Sequence, residues 1–247
     1  MDSIQTPSFT LSIYIQGNPD ASQLALVLPG KLDTKDYSHM HSHVDYLSRL
    51  GFLALSFDPP GTWESGEDIN LYTTTNYIKA TQELIKHFNR PTFVIGHSLG
   101  GTIAMIVGSQ NPQVTHFGSI MSFYSFNPQP NPKNINLKWQ SEGVKISHRD
   151  DPFSTESRKF QLPYRFLEDL IQYDVSKSLN QSFKPKIFIL GQKDVVVSPQ
   201  IVKSAYEISA HPKELYELNI NHRYRDNPHS IEQVNREIGE FLAKYSF

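Results

Sequence analysis

Short apolar runs alternate with stretches of helical spacing along most of the chain. Thr10 to Gln16 sets Leu11, Ile13 and Ile15 against Ser12, Tyr14 and Gln16, the period-two pattern of a half-exposed strand. Leu24–Leu28, Phe52–Phe57, Thr92–Ile95 and Lys186–Leu190 are instead nearly unbroken apolar runs, each ending near Gly, Pro or Asp. That is how strands covered on both faces read. Between them, Tyr72 to Phe88, Ile201 to Ile208 and Ile231 to Tyr245 carry apolar residues three and four apart, as amphipathic helices do. Buried strand alternating with amphipathic helix predicts an α/β fold, a mostly parallel sheet flanked by helices, in one domain spanning 1–247. No repeat with a period of 20–50 residues is evident.

The rhythm breaks between Ser125 and Pro185. Pro128, Pro130 and Pro132 stand among Asn127, Asn131, Asn134 and Asn136, a stretch unsuited to a central strand or a helix interior. A short helix is expected over Tyr164 to Tyr173, with Pro163 at its start. The segment is far longer than the ~2–6 residues of a plain βα loop. It predicts a small cap, 125–185, inserted over one end of the sheet. Its aromatics Trp139, Phe153, Phe160 and Tyr164, together with Trp63 from the body, are the expected walls of an apolar substrate pocket.

Composition narrows the chemistry. The chain has no cysteine, which excludes disulfides, thiolate metal sites and a cysteine nucleophile. With 23 Lys+Arg against 25 Asp+Glu, no global field recruits nucleic acid or acidic lipid. No apolar run approaches the ~18 residues of a membrane span, and no signal-peptide pattern opens the chain, so a cytoplasmic protein is expected. The sequon Asn180-Gln181-Ser182 is too short a pattern to carry weight.

Gly96-His97-Ser98-Leu99-Gly100 follows a buried strand and precedes the helix-like run Thr102 to Val107. A serine on a tight strand-to-helix turn needs small neighbours and gains the N–H groups of the following helix. A serine hydroxyl needs a base, and the base an orienting acid. Asp194, directly after Lys186–Leu190, is the candidate acid, because Thr115–Asn127 after the preceding strand holds no acidic residue. The base is sought downstream. Lys213–Ile220 reads as a strand with His222 two residues beyond it, while His229 sits before the last helix, where Ser230 and Gln233 suggest a capping box. His97 is expected to pack behind the turn. His39, His41 and His43 have a metal-like spacing but no accompanying acid, and are expected on a solvated helix.

The order Ser98, Asp194, His222 on this background resembles the α/β-hydrolase superfamily over about residues 9 to 245. Pro29-Gly30-Lys31 stands where that family has a loop completing the oxyanion hole, which implies backbone N–H donors at Lys31 (or Leu32) and Leu99. Asp58-Pro-Pro-Gly61-Thr-Trp63-Glu-Ser65 resembles the family's D-x-x-G-x-G-x-S loop, implying a structural Asp58, with Trp63 at the second glycine position. One clear strand, not two, precedes Leu24–Leu28, so the sheet is expected to have seven strands. The segment's position most resembles small-cap esterases of the cinnamoyl-esterase and monoglyceride-lipase type. The resemblance implies a serine hydrolase of small carboxylic esters, without cofactor or metal. A small-peptide aminopeptidase, with Asp150, Asp151 or Glu168 as amine anchor, an acyltransferase, and a non-catalytic ligand-binding protein are the alternatives.

Overall fold

The computed structural model describes residues 2–66, 68–125 and 133–245. Its main sheet has eight strands: β1 (Ser3–Gln5), β2 (Thr10–Gln16), β3 (Leu24–Leu28), β4 (Leu53–Phe57), β5 (Thr92–His97), β6 (Val114–Ile120), β9 (Lys186–Gly191) and β10 (Lys213–Leu218). They lie in the order β1-β2-β4-β3-β5-β6-β9-β10. Pairing is antiparallel from β1 to β2 and β2 to β4, and parallel from β4 onward. The expected seven strands become eight because Ser3–Gln5, with Ile4 its single apolar residue, is too short for any period to show. It exists by pairing with β2, Ile4 opposite Leu11.

Each strand of the sheet's centre feeds two cores. Ala25 and Val27 face one layer with Met40, Val44 and Leu47 of α1 (Ser38–Arg49) and Val234, Ile238 and Phe241 of α8 (Pro228–Lys244). Leu24, Leu26 and Leu28 face the other, with Tyr77 and Leu84 of α2 (Thr74–Phe88), Ile103 and Met105 of α3 (Leu99–Gln110) and Val202 of α7 (Pro199–Ile208). Burial on both faces is what the unbroken apolar runs encode. Among the described residues no helix is long and apolar enough to cross a membrane.

Between β6 and β9 the chain forms α4 (Lys133–Glu142), an antiparallel hairpin of β7 (Val144–Asp150) and β8 (Ser157–Pro163), then α5 (Arg165–Leu170) and α6 (Ser176–Gln181). Asn134 and Asn136 fall inside α4, contrary to expectation: asparagine costs a helix only a few tenths of a kcal/mol, roughly, where proline costs about 3. Pro128, Pro130 and Pro132 lie outside the described residues. The short helix expected over Tyr164–Tyr173 is α5, which ends at Leu170, and Pro163 ends β8 instead of starting a helix.

Three other local expectations change. β10 ends at Leu218, so His222 lies four residues past the strand. The last helix begins at Pro228 and is capped by Asn227, whose Oδ1 accepts from His229 N and Ser230 N, in place of a Ser230 box. His39 and His43 are buried, not solvated. Their face of α1 packs under α8 and the turn at Tyr224, where His43 meets Asn235 Oδ1 at 2.6 Å and Tyr224 Oη at 2.7 Å.

Candidate active site

The turn after β5 is built by close approach. Ser98 sits at φ 52°, ψ −120°, a conformation that costs a non-glycine residue about 1–3 kcal/mol. It is tolerated because the positions two residues to either side have no side chains: a Cβ on Gly100 would stand 2.1 Å from the Leu28 carbonyl oxygen, and one on Gly96 would meet Gly100 at 2.3 Å. The strain lifts the Ser98 hydroxyl clear of the sheet at the start of α3, where the first N–H groups have no helical acceptor.

Parallel register then gathers the partners at the carboxyl ends of the strands. Leu28 lies opposite Gly96, His97 opposite Ile120, Ile120 opposite Ile189 and Gly191 opposite Leu218. The loops after β3, β5, β9 and β10 thus open side by side. His222 Nε2 is 3.1 Å from Ser98 Oγ, and His222 Nδ1 is 2.8 Å from Asp194 Oδ2. Asp194 is buried, and its other oxygen accepts from Val196 N at 2.7 Å and Val197 N at 2.9 Å. Burial pushes this carboxyl upward, but the hydrogen bond with His222 and the two amides outweigh it and hold the group below its usual range. With Nδ1 protonated and donating to Asp194, Nε2 is the free base that accepts the Ser98 O–H. A proton can therefore leave Ser98 for the ring while a fixed negative charge stabilises the resulting imidazolium. His229 is exposed on α8, with Glu232 4.0 Å away, and takes no part in this contact chain.

The loop after β3 is fixed from four sides. Tyr77 Oη donates to Pro29 O at 3.0 Å, Trp63 Nε1 to Leu32 O at 2.9 Å, and Arg149 Nη2 to Lys31 O at 2.9 Å. Leu32 N donates to Tyr72 Oη at 2.8 Å, so it is occupied. The N–H of Lys31 and of Leu99 have no acceptor among the described residues. Asp58 anchors the same loop from below, accepting from Thr34 Oγ1 at 2.7 Å and Lys35 N at 2.9 Å. Trp63 keeps a positive φ of 47° where the resembling family has glycine; its buried indole and hydrogen bond to Leu32 offset that strain.

A cavity of about 340 Å³ opens at Ser98, lined by Lys31, Asp33, His39, His97, His148, Arg149, Asp150, Val196, His222, Arg223 and Arg225. Ser98, His222 and Lys31 therefore share one cavity with Asp194 behind them. The aromatics Trp63, Trp139, Phe153 and Tyr164 do not line it. Trp139 is buried between hairpin and helix, its Nε1 donating to Leu162 O and its ring over Phe166. Tyr164 packs edge-on against Trp139, and Phe153 is exposed at the hairpin tip. Trp139, Tyr164 and Phe166 hold the β6–β9 excursion together; what it presents to Ser98 is the polar end of β7. Asp33, Arg149 and Arg225 escaped the sequence reading, although the alternation Val144, Ile146, His148, Asp150 would have flagged β7. Arg223 and Arg225 directly flank the turn after His222.

His97 packs behind Ser98, its ring 4.7 Å from that of His222 and its Nδ1 3.8 Å from Asp33 Oδ2, too far for a hydrogen bond. Burial pushes its pKa down, against the pull of Asp33, and pushes that of His39 well down, so both rings are neutral near pH 7. Asp33, His39 and His97 could offer ligand atoms to a cation, lying within 4.8 Å of one another; in the second such group, Asp36, Asp58 and Glu64, the Lys35 ammonium already sits against all three carboxylates.

The family described as serine aminopeptidase, S33 (Hydrolase_4) matches residues 23–146 of the chain. No curated protein matches. Among solved structures, Est1E from Butyrivibrio proteoclasticus with bound ferulic acid is 16% identical, covers 99% of this chain and 98% of that chain, and has a TM-score of 0.77. Alpha/beta hydrolase domain-containing protein 10 from mouse is 16% identical over 99% of both chains, TM-score 0.79. The enol-lactonase from Burkholderia xenovorans LB400 is 17% identical over 98% of this chain and 100% of that chain, TM-score 0.76. These likenesses carry the fold, and with the family match over half the sequence they lead to one conclusion: the chain belongs to the S33 serine aminopeptidase family of α/β-hydrolases.

Proposed function

We propose that this protein is a serine hydrolase that cleaves a small carboxylic ester through an acyl-enzyme on Ser98. The observation that carries the reading is the unbroken contact chain from Ser98 Oγ through His222 to buried Asp194, opening into a cavity. Ser98 Oγ attacks the carbonyl carbon while His222 Nε2 takes its proton. The carbonyl oxygen becomes an oxyanion facing the N–H groups of Leu99 and Lys31, each such donor being worth about 10²–10³ in rate. Collapse of the tetrahedral species breaks the carbon–oxygen bond to the alcohol, which leaves with the proton from His222. Water then adds to the acyl-Ser98 with His222 again as base, and the acid departs as Ser98 recovers its proton. Asp194 holds the imidazole in its working tautomer throughout.

Cleavage of acyl–oxygen bonds is in keeping with the enol-lactonase among the structural neighbours. Peptide cleavage from an amino terminus needs an uncompensated carboxylate for the substrate ammonium. Asp150 at the cavity is paired with Arg223 at 2.9 Å and Arg225 at 2.7 Å, and Glu168 lines a different surface cleft beside Arg165. Turnover of p-nitrophenyl hexanoate tests the reading. The wild-type protein should hydrolyse it, and Ser98→Ala should lose up to about 10⁶-fold in kcat while remaining folded. Undiminished turnover by a folded, pure Ser98→Ala protein would overturn the assignment.

A further inference from the structure

The cavity at Ser98 has an imbalance of charge that the reaction itself does not use. Four cations line it, Lys31, Arg149, Arg223 and Arg225, against two carboxylates, Asp33 and Asp150. The arginines share both carboxylates. Arg149 Nε is 3.5 Å and Arg225 Nη1 3.6 Å from Asp33 Oδ1, and Asp150 lies between Arg223 and Arg225. Arg223 also holds Asp226 at 3.0 Å. Lys31 is the exception: its Nζ makes no hydrogen bond or ion pair among the described residues, although the side chain is partly buried. Burial, together with the like charges of Arg149 and Lys145, brings its pKa down to about 8, with Asp33 only partly offsetting them.

An ammonium drawn out of water beside two other cations, at the mouth of a reactive site, is unfavourable unless something negative arrives. We propose that the substrate carries a carboxylate a few bonds from its scissile ester, and that Lys31 Nζ receives it. This rests on the reading of Ser98 given above and names the class of ester it acts on. A single free ammonium matches a monoanion. The arginine forks that would suit a phosphate dianion are already engaged, Arg149 on the Lys31 carbonyl and Arg225 on Asp150 and stacked 3.8 Å over the Tyr37 ring. The Lys31 backbone and side chain would then act on opposite ends of one molecule, N–H toward the oxyanion and ammonium toward the carboxylate. Such a site also disfavours a free amino terminus as substrate.

The test compares kcat/KM for p-nitrophenyl hemiadipate and p-nitrophenyl hexanoate, corrected for spontaneous hydrolysis, in the wild type, Lys31→Met and Lys31→Arg. The wild type should prefer the charged ester, Lys31→Met should lower the ratio of the two constants by about tenfold, and Lys31→Arg should restore much of it. A wild-type ratio at or below one, or a ratio unmoved in Lys31→Met, overturns the proposal while the hydrolase reading stands. Should neither ester turn over, the hydrolase reading fails, and calorimetric titration with monomethyl adipate, a monoanion, still decides the anion site. Binding weakened about tenfold in Lys31→Met supports it, and no binding, or tighter binding of inorganic phosphate than of monomethyl adipate, overturns it.

Discussion

At the scale of single residues, the proposed function depends on which of two downstream histidines reaches Ser98. His222 lies between Ser98 and Asp194 at hydrogen-bonding distance from both, whereas His229 is exposed on α8. His222→Ala is therefore expected to match the loss in Ser98→Ala, His229→Ala to stay within about twofold of wild type, and the double variant Ser98→Ala/His222→Ala to lose hardly more than either single one, because such residues act as a unit. Steady-state kinetics on the four variants and the wild type checks this; a dead His229→Ala beside an active His222→Ala would contradict it. These three residues were legible because chemistry restricts them to loops after buried strands, and the strands announce themselves. The Lys31 ammonium, Arg149 and Arg225 were not, since a charged side chain reads the same in sequence whether it faces solvent or a cavity. Its counter-charges come from segments as distant as the hairpin and the last turn. His39 and His43 misled for the same reason: polar letters on a helix gave no sign that α8 would cover them.

Among the elements, the sheet and its helices follow the hydrophobic period closely, because burial on two faces leaves little freedom in residue choice. The excursion between β6 and β9 does not. Its hairpin is half-exposed and its helices are short, so no long period forms, and its aromatics invite the reading of a pocket wall. All but the exposed Phe153 pack inward: Trp139 over Phe166 and against Tyr164, Trp63 edge-on to Phe160 under the Arg158 guanidinium. Trp139→Ala is accordingly a stability change. It should cost about 3–5 kcal/mol, lowering Tm by roughly 10 °C, while the ratio of hexanoate to acetate turnover stays within about twofold. Calorimetry with paired ester kinetics measures both. An unchanged Tm with an altered acyl preference would put Trp139 in the substrate's path after all.

The whole molecule carries a set of buried imidazoles whose protonation opposes the fold. Burial holds His43 and His116 at about 4, and His39 well below its ordinary value, against 6.5 in an unfolded chain. A depressed folded-state pKa means that the unfolded chain binds the extra proton first. The stability is fully present above about pH 6.5 and drains away as pH falls towards 4, up to about 3 kcal/mol for His43 alone. Asp33 and Asp194, held low by their partners, add losses only below the ordinary carboxylate range. Tm should therefore fall steeply between pH 6.5 and 4.5, before carboxylates titrate, and a flat Tm across that window would contradict the burial. Sheet register, strained elbow and fixed loop together bring one hydroxyl, Ser98, against His222 and Asp194, and on the proposed reading that hydroxyl is nucleophilic in the folded protein at neutral pH. Treatment with a fluorophosphonate, followed by intact-mass and peptide analysis, reads this directly: one phosphonyl group is expected per chain, on Ser98, lost in Ser98→Ala and on unfolding. No adduct on the folded protein, or an adduct on another serine, would contradict the account.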